Sequence, residues 1–210
     1  MREKMAFFDV DKTLIDGDSM FMLLKYTLKK YPKSILGLPK LFLDLVSYKL
    51  KFISVSEAKE SMFYTFNYLN DLDFEDFYKN VLLDKVFEDA IKTIVTLKDK
   101  GYRVVLVSAS PECYLAHFKN EYFIDEVIGT NFSRENDRYK NVMIGENCKG
   151  VEKVKRINKY LNENDIEIDV ENSVAFSDSL SDKPMFDLVN KSYIINSKIN
   201  NSPYERLLWR

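Results

Sequence analysis

The chain has 210 residues, 46% hydrophobic and 30% charged, a balance that supports a packed core and excludes a wholly disordered chain. Its formal net charge of −2 gives no general electrostatic case for a nucleic-acid partner, whose affinity comes mainly from phosphate neutralisation by Lys and Arg. Six glycines and five prolines leave little room for long linkers.

The opening MREKMAFFDV has no long apolar run of signal-peptide type. Residues 5–10 (MAFFDV) form a short apolar run ending in carboxylates, the pattern of a buried parallel strand with a site at its end. Gly17, flanked by Asp16 and Asp18, predicts a turn. From residue 19 to about 86 the apolar spacing becomes helical, and four helices without strands are expected, with Ser56 as the N-cap of the helix starting near Glu57. The most apolar stretch, residues 35–53, is interrupted by Pro39, Lys40, Asp44, Lys49 and Lys51, so no membrane span is expected and the setting is read as cytoplasmic.

Strands and helices then alternate. Residues 90–100 predict a helix closed by Gly101, and residues 102–107 (YRVVLV) a β-branched strand. A helix over 111–119, a hairpin over 127–132 and 138–144, and an amphipathic helix over 151–161 follow. Residues 173–176 are a further buried strand, 184–189 a helix and 193–195 a last short strand. The expected fold is α/β: a Rossmann-like, doubly wound parallel sheet with an inserted all-helical cap domain. Residues 1–15 and 87–210 would form the core domain and 16–86 the cap.

Ligands of such sheets bind at the carboxyl ends of the strands. There the sequence places Asp9-Val10-Asp11-Lys12-Thr13, Ser108-Ala109-Ser110 and Ser177-Asp178-Ser179-Leu180-Ser181-Asp182. Asp9 and Asp11 are two apart and leave an extended backbone on the same side. One can attack phosphorus while the other handles the proton of the leaving group and then of water. Carboxylates repel a phosphate dianion, so a cation is required, and magnesium suits oxygen ligands that bridge to phosphate. Asp9, Asp178 and the main-chain carbonyl of Asp11 are its expected ligands. Ser108 and the N–H groups after it, Ala109 first, would hold phosphoryl oxygens, and a lysine would complete the charge balance.

The motifs FFDVDKTL, VVLVSAS, a lysine at a helix start and FSDSLSD together resemble the haloacid dehalogenase superfamily, in its phosphoserine-phosphatase-like branch with a helical cap. The resemblance spans essentially the whole chain. It implies a magnesium-dependent phosphatase acting on a small phosphate monoester through an aspartyl-phosphate. Asp9 would be the nucleophile, Asp11 the acid and base, Ser108 and a lysine the phosphate ligands, and Asp178 and Asp182 the pair serving the metal. Lys153 fits the pattern of small capped relatives, and Lys149, before Gly150, fits the form of other branches; Lys153 is preferred. True dehalogenases lack the second acid, so Asp11 favours phosphate chemistry.

Phosphoserine phosphatases grip their substrate with a cap arginine and a nearby Glu. Asp18 stands about where that Glu would be, but no arginine occurs between Arg2 and Arg103, which argues against phosphoserine. The cap is instead apolar and rich in lysine, from Lys25 to Lys51. Two readings of that pattern stand: a bundle with solvated lysines, or a basic surface that takes a lipid-like phosphate or rests on an anionic membrane. Phe21, Phe63 and Phe66 are candidates to face the substrate, and Thr13 a support of the loop. His117, the one histidine, and Cys113 and Cys148, with neither CxxC nor zinc spacing, read as structural. Rival functions are a phosphomutase with the same site, a receiver-like phospho-switch and a binding protein. Receivers carry their phosphorylated Asp after a later strand and no insertion of this size. Between the oligomeric states a monomer is preferred.

Overall fold

The apolar run that opens the chain becomes the middle of a sheet. The computed structural model describes residues 2–120, 123–136, 138–198 and 202–210. In chain order the elements are β1 (Arg2–Glu3), β2 (Met5–Phe8), α1 (Ser19–Lys30), α2 (Leu38–Lys49), α3 (Val55–Met62), α4 (Asp71–Phe77), α5 (Glu88–Asp99) and β3 (Arg103–Pro111). Then come α6 (Glu112–Leu115), β4 (Glu126–Glu135), β5 (Arg138–Ile144), α7 (Val151–Glu163), β6 (Glu167–Ile168), β7 (Val174–Ser177), α8 (Lys183–Phe186), β8 (Lys191–Ile195) and β9 (Glu205–Leu207).

Seven strands form one sheet in the order β5-β4-β3-β2-β7-β8-β9, all parallel except the β4–β5 hairpin. The chain winds outward from β2 in one direction through β3 and β4, then returns past it to β7, β8 and β9. This is the doubly wound α/β order, and its switch point lies between β2 and β7. Side chains of β2 alternate between two cores. Ala6 and Phe8 join one with Ile94 of α5, while Met5 and Phe7 join the other with Ile157 of α7 and Met185 of α8. Phe8, Phe176 and Tyr193 stack across β2, β7 and β8 at centroid distances of 4.3 and 5.0 Å, and Trp209 packs on Phe176 at 5.6 Å. This ladder fixes the strand ends one or two residues before Asp9 and Asp178.

Between β2 and α5 the described residues hold α1 to α4 joined by short 3-10 and π turns, with no strand. The chain enters and leaves this helical block on adjacent paths: Ile15 bridges Val86, and Asp16 N–H donates to Lys85 O at 2.7 Å. The block rests on the β4–β5 hairpin. Phe63 and Phe66 meet Phe132 edge-on at 5.1 and 5.0 Å, and Glu60 accepts from Met143 N–H at 2.8 Å. No helix among the described residues is long and apolar enough to cross a membrane.

Several local expectations change. The α3 N-cap is Ser54, not Ser56: Ser54 and Glu57 form a reciprocal capping box, the S-x-x-E spacing that satisfies two otherwise unpaired N–H groups. The helix expected over 111–119 is split into α6 and a 3-10 turn. The strand expected to end at 107 continues through Ser108, Ala109 and Ser110 to Pro111, with its register to β4 shifting between Val107 and Pro111. The short edge elements β1, β6 and β9 carry too few residues for a periodic signal.

Candidate active site

The loop after β2 is drawn into a tight turn. Leu14 and Ile15 N–H donate to Val10 O at 2.8 and 3.0 Å, and Lys12 adopts φ 59° while its N–H donates to Gly17 O at 3.0 Å. Gly17 has φ 127°, and a Cβ there would lie 2.6 Å from Met22 Cε, so the turn needs glycine at this point. The consequence is that Asp9 and Asp11 both face the switch point. Asp9 N–H is tied to Phe176 O at 2.9 Å, and its carboxylate is 8% exposed as a residue.

Lys153, in the first turn of α7 and 2% exposed, lies between two carboxylates: Nζ is 2.7 Å from Asp9 Oδ1 and 2.6 Å from Asp182 Oδ2. Thr13 Oγ1 donates to Asp9 Oδ2 at 3.3 Å, and Ser177 Oγ to Asp182 Oδ2 at 2.8 Å. Burial raises the Asp9 carboxyl to about 7, with Asp182 and Asp11 pushing the same way and Lys153 pulling against them. Burial works against the Lys153 charge, but attraction to Asp9 and Asp182 outweighs it and raises the ammonium above its ordinary range. The lysine is therefore a fixed positive charge beside Asp9.

Asp11 is oriented from two sides. Ser110 Oγ donates to its Oδ2 at 2.5 Å and Ser19 N–H to its Oδ1 at 2.6 Å. Ser110 is itself held by Ser19 Oγ at 3.0 Å, which meets Tyr114 Oη at 2.9 Å. Burial dominates these bonds and raises the Asp11 carboxyl, favouring a proton-bearing acid. Asp178, half-buried after β7, is likewise raised by burial, with the Lys12 charge opposing. Its carboxylate makes no hydrogen bond or ion pair with another residue among the described residues. Asp9, Asp11, Ser108, Ala109, Asp178 and Lys149 share one cavity of about 230 Å³ with Lys153 and Asp182.

Oxygen donors dominate this cavity, and the half-buried carboxylate of Asp178 lines it together with Asp9, a set that fits a hard divalent cation. Among the described residues no three His, Cys, Asp or Glu side chains form a closed metal cage. Magnesium does not require one, since it retains waters and phosphate oxygens as ligands. The geometry divides the expected ligands. Asp182, expected to serve the metal, has its Oδ2 committed to Lys153 and Ser177, and Asp11 has its carboxylate committed to Ser110 and Ser19.

Asp18 caps α1, its Oδ1 accepting from Met20 and Phe21 N–H at 3.1 and 3.3 Å, and also lines the cavity wall. Phe63 lines a second cavity next to the first, Phe21 a third within the helical block, and Phe66 is buried in the core. His117 stacks on Tyr78 at 5.6 Å, Cys148 is buried and Cys113 half-buried, both as free thiols.

One contributor was not foreseen. Lys59 of α3 reaches down from the helical block and donates to Ala109 O and to Asn147 Oδ1, with Thr130 Oγ1 at 3.4 Å. Burial lowers its ammonium to about 8. No local signal in a lysine-rich block separates it from Lys25 or Lys49.

A family model described as haloacid dehalogenase-like hydrolase matches residues 6–187. The chain belongs to that family. It is thus a hydrolase, and its solved neighbours share the fold. A Bordetella pertussis Tohama I protein of unknown function is 18% identical, with a TM-score of 0.82 over 99% of both chains. A substrate-bound phosphoserine phosphatase is 18% identical, with a TM-score of 0.66 over 94% of this chain and 88% of that one. A phosphoserine phosphohydrolase-like protein from Francisella tularensis subsp. tularensis SCHU S4 is also 18% identical, with a TM-score of 0.65 over 96% and 94%. No curated protein matches the sequence. This haloacid dehalogenase-like hydrolase thus has the architecture of the phosphoserine-phosphatase-like branch.

Proposed function

We propose that the chain is a magnesium-dependent phosphatase that hydrolyses a phosphate monoester through an aspartyl-phosphate on Asp9. The observation that carries this reading is Asp9 at the switch point, 2.7 Å from the fixed charge of Lys153 and beside the oriented acid Asp11. Asp9 attacks phosphorus as the ester P–O bond breaks, and Asp11 gives its proton to the leaving oxygen. Asp11 then takes a proton from water as that water attacks the same phosphorus, releasing inorganic phosphate and Asp9. Lys153, Ser108 and the Ala109 N–H hold the phosphoryl oxygens while charge redistributes. Magnesium, held by Asp9, Asp178 and the Asp11 carbonyl, would neutralise the phosphate dianion.

Residues 16–86 act in this reading as a cap over a core of 1–15 and 87–210, closing on substrate by small changes near Ile15–Val86. Asp182 acts as the partner of Lys153. Phosphoserine is not the selected substrate: no arginine lines either cavity between the helical block and the core among the described residues, so no bidentate fork awaits a carboxylate.

Phosphate release from para-nitrophenyl phosphate and a panel of monoesters, with and without magnesium, tests the reading. Magnesium-dependent release that Asp9→Asn abolishes is expected. Metal-independent release, or an unimpaired Asp9→Asn enzyme, would refute it. Return of the phosphoryl group to an organic product would assign the same site to a mutase.

A further inference from the structure

The catalytic cavity is the first of three that adjoin one another through shared wall residues. The phosphoryl cavity shares Asp11, Asp18, Ala109 and Lys149 with a second cavity of about 310 Å³ under the helical block. That second cavity shares Met20, Leu45 and Met62 with a third, also of about 310 Å³, between α1, α2 and α3. Polarity falls along the path. The first is lined mostly by charged groups, the second mixes Lys59, Asn147 and Ser110 with Val55, Met62 and Phe63, and every residue lining the third is apolar.

The third is a groove open to solvent and walled only by apolar side chains, so it leaves hydrocarbon surface in water unless something covers it. Here the space adjoins the cavity next to the catalytic site, and the wall common to the second and third cavities holds Met20 and Met62, side chains that repack around varied apolar shapes. The outer end opens between Phe21 and Phe42, exposed by 50% and 67%, so a chain longer than the channel meets more apolar surface. Resting on the phosphatase reading above, we infer that the substrate is a single-chain amphiphilic phosphate monoester, its phosphoryl head at Asp9 and its apolar tail in the channel between α1, α2 and α3. Lys59 and Asn147 line the middle cavity, where a polar group between the phosphoryl head and the tail would lie.

The test uses n-alkyl phosphates from ethyl to dodecyl, below their micelle concentrations, with magnesium. Each methylene buried is expected to raise kcat/KM by up to roughly fourfold until the tail leaves the channel. Leu45→Trp, at the junction of the second and third cavities, is expected to bring the decyl-to-ethyl ratio of kcat/KM toward unity; being a ratio within one variant, it is insensitive to a general loss of activity. Calorimetric binding of the same series to Asp9→Asn reads the channel without turnover. Turnover of ethyl phosphate with a flat series would overturn the tail site and leave the phosphatase reading standing. Chain-length-dependent binding that Leu45→Trp abolishes, with no turnover by the parent, would sustain the channel and sink the phosphatase reading. Absence of chain-length dependence in both assays would overturn the inference.

Discussion

Replacing Lys153 with Met keeps the length of the side chain and removes the one charge that lies between Asp9 and Asp182. Both carboxylates approach it within 2.7 Å, and the lysine is 2% exposed, so water cannot substitute for it. Breaking a buried ion pair by removing one partner costs about 3–5 kcal/mol, which for a chain of this size lowers Tm by on the order of 10 °C. The loss should depend on pH in a defined direction. Asp9 has a folded-state pKa already raised from 3.8 to about 7, and removing Lys153 raises it further. A carboxylate raised on folding stabilises the native state in its protonated form, and that contribution is lost as pH rises through the folded pKa. The destabilisation of Lys153→Met relative to the parent should therefore be level below about pH 7 and grow above it, as Asp9 ionises in the parent but stays protonated in the variant. Thermal unfolding followed by circular dichroism, with magnesium chelated, reads this. Adding Asp182→Asn to the variant should return part of the stability, because the two positions share one partner. A pH-independent difference, or no difference at all, would refute the placement of Lys153 as the counter-charge of Asp9.

Other outcomes follow from the same geometry. Lys59→Met should stabilise the protein at neutral pH by on the order of 3 kcal/mol, since the ammonium is lowered by burial from 10.5 to about 8. A lysine depressed on folding destabilises the native state while charged, so the gain should shrink from about pH 8 upward and vanish above about pH 10.5; denaturant unfolding at several pH values checks it. Thr130 still donates to Ala109 O at 2.7 Å in that variant, so the carbonyl is not left bare. Asp11→Asn should lower kcat by roughly 10²- to 10⁴-fold through loss of proton transfer, with substrate affinity in the Asp9→Asn background unchanged. Asp178→Asn should raise the magnesium concentration needed for half-maximal activity, and an unchanged metal titration would remove it from the ligand set.

The middle of the sheet was legible because parallel strands buried on both faces must be nearly continuous apolar runs, as MAFF and VAFS are. The acids were legible for the related reason that carboxylates directly after such runs have few structural uses. The helical block was legible from its spacing. Edge strands of two or three residues were not, because their pairing is decided by neighbours and not by their own pattern. Lys59 was invisible for a different reason: its site exists only when α3 is laid over the end of β3, and sequence distance hides that juxtaposition. The pairing of Asp182 with Lys153 was hidden for the same reason, since the two residues lie on different elements far apart in sequence. The Ser54–Glu57 capping box, by contrast, was present in the local sequence.

Covalent chemistry at Asp9 is tested by phosphoryl trapping. The protein is mixed with a radiolabelled phosphate monoester and magnesium, quenched in acid, and the label is mapped by peptide mass spectrometry. A hydroxylamine-labile phosphoryl group is expected on the peptide carrying Asp9, absent without magnesium and absent in Asp9→Asn. Turnover with no label on the protein, or label on any other residue, would contradict covalent chemistry at Asp9.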